Sequence, residues 1–197
     1  MQATRRLSQA ISEGDGISIL VPVHDLGAAR AAESQGAEGI VLAQAVAGVR
    51  EAVNVPIIWS VAGPPEDARR GEADAYVLVV EQLGDDGDRL AERHAAAQGL
   101  GLECVFEVRD EDELEFAFEG VDPEIFLLSS RGAAEDEDPL ERVLDLLPDV
   151  PAGKLAIAGV AVEDRDDVLA LERAGVDAVI VAAGDVRALV GAAPVEV

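Results

Sequence analysis

Side chains able to move a proton or hold an anion cluster at the ends of short apolar runs in this 197-residue chain. His24 comes directly after residues 17–23, Ser60 falls inside residues 57–61, and Glu107 lies within residues 103–108 with Arg109 just beyond. Ser129 closes residues 125–129, and Ser130 and Arg131 follow. A histidine, carboxylates and arginines brought together suffice for general acid/base chemistry and for recognition of an anion. A carboxylate inside an apolar strand is costly unless paired, so Glu107 reads either as a functional group or as half of a structural pair with Arg109 or Arg131. His24 fits an acid/base role or a polar cap on its strand. Arg131 either takes an external anion or holds Glu107. Glu81 is a weaker candidate, Trp59 reads as packing, and Cys104 reads as an inert core residue.

Such groups need a scaffold whose strands end on one face. Strands are expected at residues 17–23, 39–43, 57–61, 75–80, 103–108, 125–129, 155–159 and 178–182, alternating with helical stretches at 26–35, 45–53, 65–71, 86–98, 110–118, 139–147 and 162–174. A short helix is expected at 186–191, and a leading helix at 3–12, inside residues 1–14, would cap the barrel floor. Strict alternation of strand and helix predicts a parallel sheet. A lead-in recurs before every even strand: Gly36-Ala37-Glu38, Glu72-Ala73-Asp74, Gly120-Val121-Asp122 and Gly175-Val176-Asp177. This internal repeat favours a closed eightfold barrel over an open doubly wound sheet, and no Gly-x-Gly-x-x-Gly follows the first strand. The expected architecture is α/β, a compact single-domain (βα)8 TIM barrel over residues 1–197 with short βα loops. Its functional groups would lie at the C-terminal ends of the strands.

Composition narrows the partners. The 40 acids and 15 bases leave a formal charge of -25, with Lys154 the only lysine, and so acidic a surface repels nucleic acid and anionic membranes. High salt would screen the self-repulsion, but a GC-rich genome favouring Ala and Arg accounts for the composition equally well. One cysteine and two well-separated histidines leave no intramolecular disulfide and no expected metal site. The run Glu135-Asp136-Glu137-Asp138 reads as a loop and helix cap. No apolar run reaches the roughly 18 residues of a membrane span, and no apolar stretch follows Arg5 and Arg6, so a cytoplasmic protein without a signal peptide is expected.

Three phrases carry a resemblance: Val49-Arg50-Glu51-Ala52-Val53-Asn54-Val55-Pro56-Ile57-Ile58, the stretch Gly101-Leu102-Glu103 through Phe106-Glu107-Val108-Arg109-Asp110-Glu111-Asp112-Glu113-Leu114, and Ala174-Gly175-Val176-Asp177-Ala178-Val179-Ile180-Val181. In that order and at that spacing the chain resembles the indole-3-glycerol phosphate synthases, barrels that close the indole ring in tryptophan biosynthesis. The resemblance implies a (βα)8 fold, no cofactor, and a monomer or homodimer. It matches Glu107 to the family's catalytic glutamate and Arg131 to the arginine after the sixth strand, with Ser129 in place of the neighbouring asparagine. The glutamate and lysine that end the family's first strand become Pro22-Val23-His24, and the general-acid lysine of the third strand falls at Ser60. On strand seven, Glu-Ser-Gly becomes Ile157-Ala158-Gly159. On strand eight, the phosphate-binding Gly-Glu-Ser becomes Ala182-Ala183-Gly184, with Asp185 beside it.

The expected site is therefore Glu107, His24 and Ser129 for catalysis, with Arg131, Arg109, Ser60, Gly159 and Gly184 for substrate or anion. Losing a general acid costs about 10² to 10⁴ in rate, and two lysines that would also neutralise anionic substrate groups are missing together. The expectation is a divergent, shortened barrel without ring-closing activity, in a binding, regulatory or still undefined role, with a small anionic ligand at the C-terminal face as the candidate partner. Two enzymatic alternatives stand beside it: an active or residual synthase, or a proton-transfer or isomerisation enzyme using His24, Glu107 and Arg131; a structural alternative is a homo-oligomeric interaction module.

Overall fold

The computed structural model describes residues 5–14, 16–84, 86–132, 137–182 and 186–189. Eight parallel strands close on themselves in sequence order: β1 (Ser18–Val23), β2 (Gly39–Leu42), β3 (Ile57–Trp59), β4 (Ala75–Val79), β5 (Glu103–Val108), β6 (Ile125–Ser129), β7 (Leu155–Gly159) and β8 (Ala178–Ile180). Helices α1 (Arg6–Glu13), α2 (Leu26–Ser34), α3 (Val49–Ala52), α4 (Pro65–Arg70), α5 (Gly87–Gly99), α6 (Glu111–Gly120), α7 (Pro139–Leu146), α8 (Arg165–Ala174) and α9 (Val186–Leu189) alternate with them. The molecule is a single-domain (βα)8 barrel, and none of its described helices is long and apolar enough to cross a membrane.

Two apolar clusters follow from the strand period of two. Leu20, Val41, Ile58, Val77, Val105, Leu127, Ile157 and Ala178 fill the barrel interior, and Leu7 and Ile11 of α1 plug its floor. The alternate positions, among them Val21, Leu42, Trp59, Leu78, Phe106, Leu128 and Val179, pack outward against the helices. Branched and small side chains dominate both layers, as a closed barrel of this size requires.

The repeated lead-ins have a mechanical role. Gly36 and Gly175 take φ of 99° and 100°, the left-handed turn that ends a helix. Glu72 holds the corresponding position with φ 55°, the only such non-glycine described. The acid that follows accepts from the first amides of a neighbouring strand: Asp74 Oδ2 from Ile57 N at 2.9 Å, and Asp177 Oδ2 from Ala156 N at 2.8 Å. Asp74 also receives Arg50 at 2.8 Å and Arg6 at 3.1 Å, tying α1 and α3 to the floor.

The strands expected at 57–61 and 178–182 each end two residues early, at Trp59 and Ile180, and three further segments depart from the sequence pattern. The helix expected at 45–53 shrinks to Val49–Ala52 because Gly48 before it adopts φ 73° and residues 43–48 run as a loop. The helix expected from residue 162 starts at Arg165, where Asp164 accepts from the amides of Asp166 and Asp167 and sets the N-terminus. A 3₁₀ turn, Val80–Leu83, continues directly from β4 and carries Glu81 away from the strand.

Candidate functional site

β5 determines what reaches the mouth. Its alternation turns Glu103, Val105 and Glu107 inward and Cys104, Phe106 and Val108 toward the helices. Burial pushes the Cys104 thiol well above its ordinary range, so it stays an unreactive core group.

Glu107 is only 2% exposed. Its Oε1 lies 3.2 Å from Arg131 Nη1, whereas Oε2 is buried with no hydrogen-bond partner among the described residues. Arg131 is anchored at its backbone, where its N donates to Ser129 Oγ at 3.3 Å, but its side chain is 70% exposed and reaches in from the rim. Glu107 pairs in register with Leu127, so Ser129 stands one inward step higher on the adjacent strand. The structure thus brings Glu107, Ser129 and Arg131 together. Gly159, opposite Ser129 in the β6–β7 register, accepts from Ser130 N and Ser130 Oγ, each at 3.3 Å. A Cβ at Gly159 would press on the Leu127 side chain at 3.0 Å. Ser60 leaves β3 one residue after Trp59, its amide donating to Leu42 O at 2.8 Å, and it shares a cleft with Arg131.

Other candidates are held elsewhere. His24 is exposed, with Nε2 3.2 Å from Asp25 Oδ2, and its carbonyl accepts from Gln44 Nε2 at 3.1 Å; neither contact reaches Glu107. Asp25 is mainly the cap of α2, and the bond from Ala28 N at 2.8 Å lowers its pKa. Arg109 is taken up by two carboxylates: Glu113 binds its Nε at 2.9 Å and also Nη2, and Glu81 binds Nη1 at 2.6 Å. The Glu113 hydrogen bond is the main cause of a guanidinium pKa raised further above its ordinary value. Its carbonyl accepts from Arg142 at 3.0 Å, so Arg109 joins the 3₁₀ turn, α6 and α7 at the rim. Trp59 stands on the outward phase of β3 and packs under Gly71, where there is no room for a Cβ. Gly184 and Asp185 lie outside the described residues.

Lys154 precedes β7 at the floor, where it bonds Asp122 Oδ1 at 2.5 Å. The chain's single side-chain amine is therefore at the opposite end of the barrel from Glu107. What the mouth can do follows directly: a buried carboxyl with one oxygen unpartnered among the described residues can exchange a proton or accept a donor, and an exposed arginine can hold an anion.

Glu103 was missed in the sequence, although its spacing of four from Glu107 on one strand puts both on the same face. It is 8% exposed and faces the floor, where Leu7 N and Ser8 N bond its two oxygens at 2.6 and 3.1 Å.

The family model for indole-3-glycerol phosphate synthase matches residues 65–188, from α4 to α9. Among solved structures, an N-acetylmannosamine-6-phosphate 2-epimerase from Clostridium perfringens superposes with a TM-score of 0.70 at 12% identity, over 87% of this chain and 88% of that one. A protein named as a fructose-1,6-biphosphate aldolase, from Coccidioides immitis, gives 0.63 at 17% identity, over 91% and 79%. At those identities the likeness to the two structures is one of fold.

Proposed function

Because the chain belongs to the indole-3-glycerol phosphate synthase family, we propose that it is a member that no longer closes the indole ring and that its mouth binds a small anionic ligand through Arg131 beside Glu107. The observation that carries this is the position of Lys154, bonded to Asp122 at the floor. A lysine at the third-strand exit would donate a proton and neutralise the substrate at once. Here that exit carries Ser60. A guanidinium group in general is too weak an acid to replace that lysine as a proton donor. His24, exposed and turned to Asp25, stands apart from the Glu107–Arg131 pair.

The test is a steady-state assay for indole-3-glycerol phosphate formed from the carboxyphenylamino deoxyribulose phosphate. The expected result is no turnover above background. Turnover that Glu107→Gln abolishes would overturn the proposal.

One observation favours a second function. Glu107 Oε2 is buried and unpartnered, and a free carboxyl oxygen at a strand exit is where a barrel places a base for proton abstraction. Such an isomerase-type reaction needs no lysine. Solvent deuterium incorporation into a panel of small sugar phosphates, lost in Glu107→Gln, would select it over simple binding.

A further inference from the structure

Beside the mouth, a cleft of about 210 Å³ runs outward between the loop after β3 and the start of α5. Ser60, Tyr76, Gln82, Arg89, Arg93 and Arg131 supply its polar lining. Acids make up 40 of the chain's 197 residues, yet among the described residues none lines this cleft, whereas three arginines do. In a protein of charge -25 that local inversion of sign concentrates positive potential in a concave site.

The arginines are also prepared unequally, as a binding site would need. Arg93 is fixed: its Nη1 donates to Gly63 O at 2.9 Å and to Tyr76 Oη at 3.3 Å, and Tyr76 Oη itself donates to Gly63 O at 2.7 Å. Burial raises the pKa of Tyr76, more than Arg93 lowers it, which keeps that hydroxyl a donor. No carboxylate pairs with Arg93 or with the Arg89 side chain among the described residues. Arg131 reaches the cleft while touching Glu107, so it couples the two. Two guanidinium groups without a carboxylate partner among the described residues, and a third shared with Glu107, leave an excess of about two positive charges. Guanidinium forks match the paired oxygens of phosphoryl and carboxylate groups.

We propose that this cleft binds a small dianion, a phosphoryl or dicarboxylate group, at Arg89, Arg93 and Arg131, with Ser60 as a further donor. The site goes beyond the reading of the mouth. An anion held only by the Glu107–Arg131 pair would be lost in Arg131→Gln and retained in Arg93→Gln, so the two proposals fail separately.

Calorimetric titration of the whole chain with inorganic phosphate, malonate and chloride tests it, with folding checked by circular dichroism. Phosphate or malonate should bind in preference to chloride, and comparing the two dianions identifies the chemistry. Arg93→Gln should weaken that binding about tenfold, the scale of one charge-assisted hydrogen bond. Arg93 also braces Gly63, so Arg89→Gln, which removes an exposed side chain with no bond to lose, provides an independent measurement and should weaken binding to a similar degree. Equal affinity for chloride, no binding at millimolar concentration, or unchanged affinity in Arg89→Gln would each overturn the proposal.

Discussion

Leu7 N donates to Glu103 Oε1 at 2.6 Å, so a barrel strand caps the helix that plugs its own floor. The helix has no side-chain cap of its own, since Arg5 occupies that position, and Ser8 N completes the arrangement through Oε2. Glu103→Ala should orphan both amides and cost about 1–2 kcal/mol, read by denaturant unfolding. Amide exchange at Leu7 and Ser8 should accelerate more than exchange in β5. Equal acceleration in both would mean the floor does not act as a separate unit.

The same residue gives a pH dependence. Burial raises the Glu103 pKa, outweighing the bonds from Ser8 and Leu7 that lower it. A carboxyl whose folded-state pKa is raised stabilises most below its ordinary value of 4.5, and that contribution disappears as pH rises through the folded-state value. Stability of the unmodified protein relative to Glu103→Gln should therefore improve as pH falls from neutral toward 4.5. A difference that stays flat across that interval contradicts the assignment.

Glu72 occupies a left-handed turn with φ 55° where two other lead-ins use glycine. The left-handed conformation costs a side-chain-bearing residue roughly 1–2 kcal/mol, partly offset by the chain entropy that glycine adds to the unfolded state. Glu72→Gly should raise stability by about 0.5–1 kcal/mol, measured as a higher thermal midpoint. Since the residue is exposed, a lower midpoint would have to arise from the backbone itself.

Gly71 lies against the Trp59 ring with no space for a methyl group. Gly71→Ala should cost about 1–3 kcal/mol through overpacking. The emission of Trp59, the chain's one tryptophan, should shift to longer wavelength as the ring is displaced. An unshifted spectrum at unchanged stability would place that ring elsewhere.

With a formal charge of -25, self-repulsion opposes the compact state. Raising sodium chloride from about 0.1 M to about 1 M shortens the screening length from about 10 Å to about 3 Å. The unfolding midpoint should rise across that range, because the half-buried Asp74 network with Arg6 and Arg50 is screened less than the surface acids are. A falling midpoint would make ion pairs, not repulsion, the dominant charge effect.

Architecture was legible because strands and lead-ins announce themselves locally. β5, β6 and β7 coincide with their sequence limits, and the lead-ins mark αβ turns at Gly36, Glu72 and Gly175. Side-chain direction was less legible. Ile57, Ile58 and Trp59 are all apolar, so the strand's period of two leaves no trace, and the outward position of Trp59 is set by barrel register alone. In β5 the charged residues reveal the phase, and Glu107 with Arg131 could be paired from strand order. Arg93, Tyr76 and Gly63 could not, since they meet through a loop whose path no periodicity encodes.

The floor position of Lys154 also decides how the molecule can be attached to something else. Coupling through its amine would tether the barrel by its base and leave the ring of strand exits, with Glu107 and Arg131, facing free solution. A sensor surface coupled at that amine alone would present the mouth in one orientation, without introducing a tag near it.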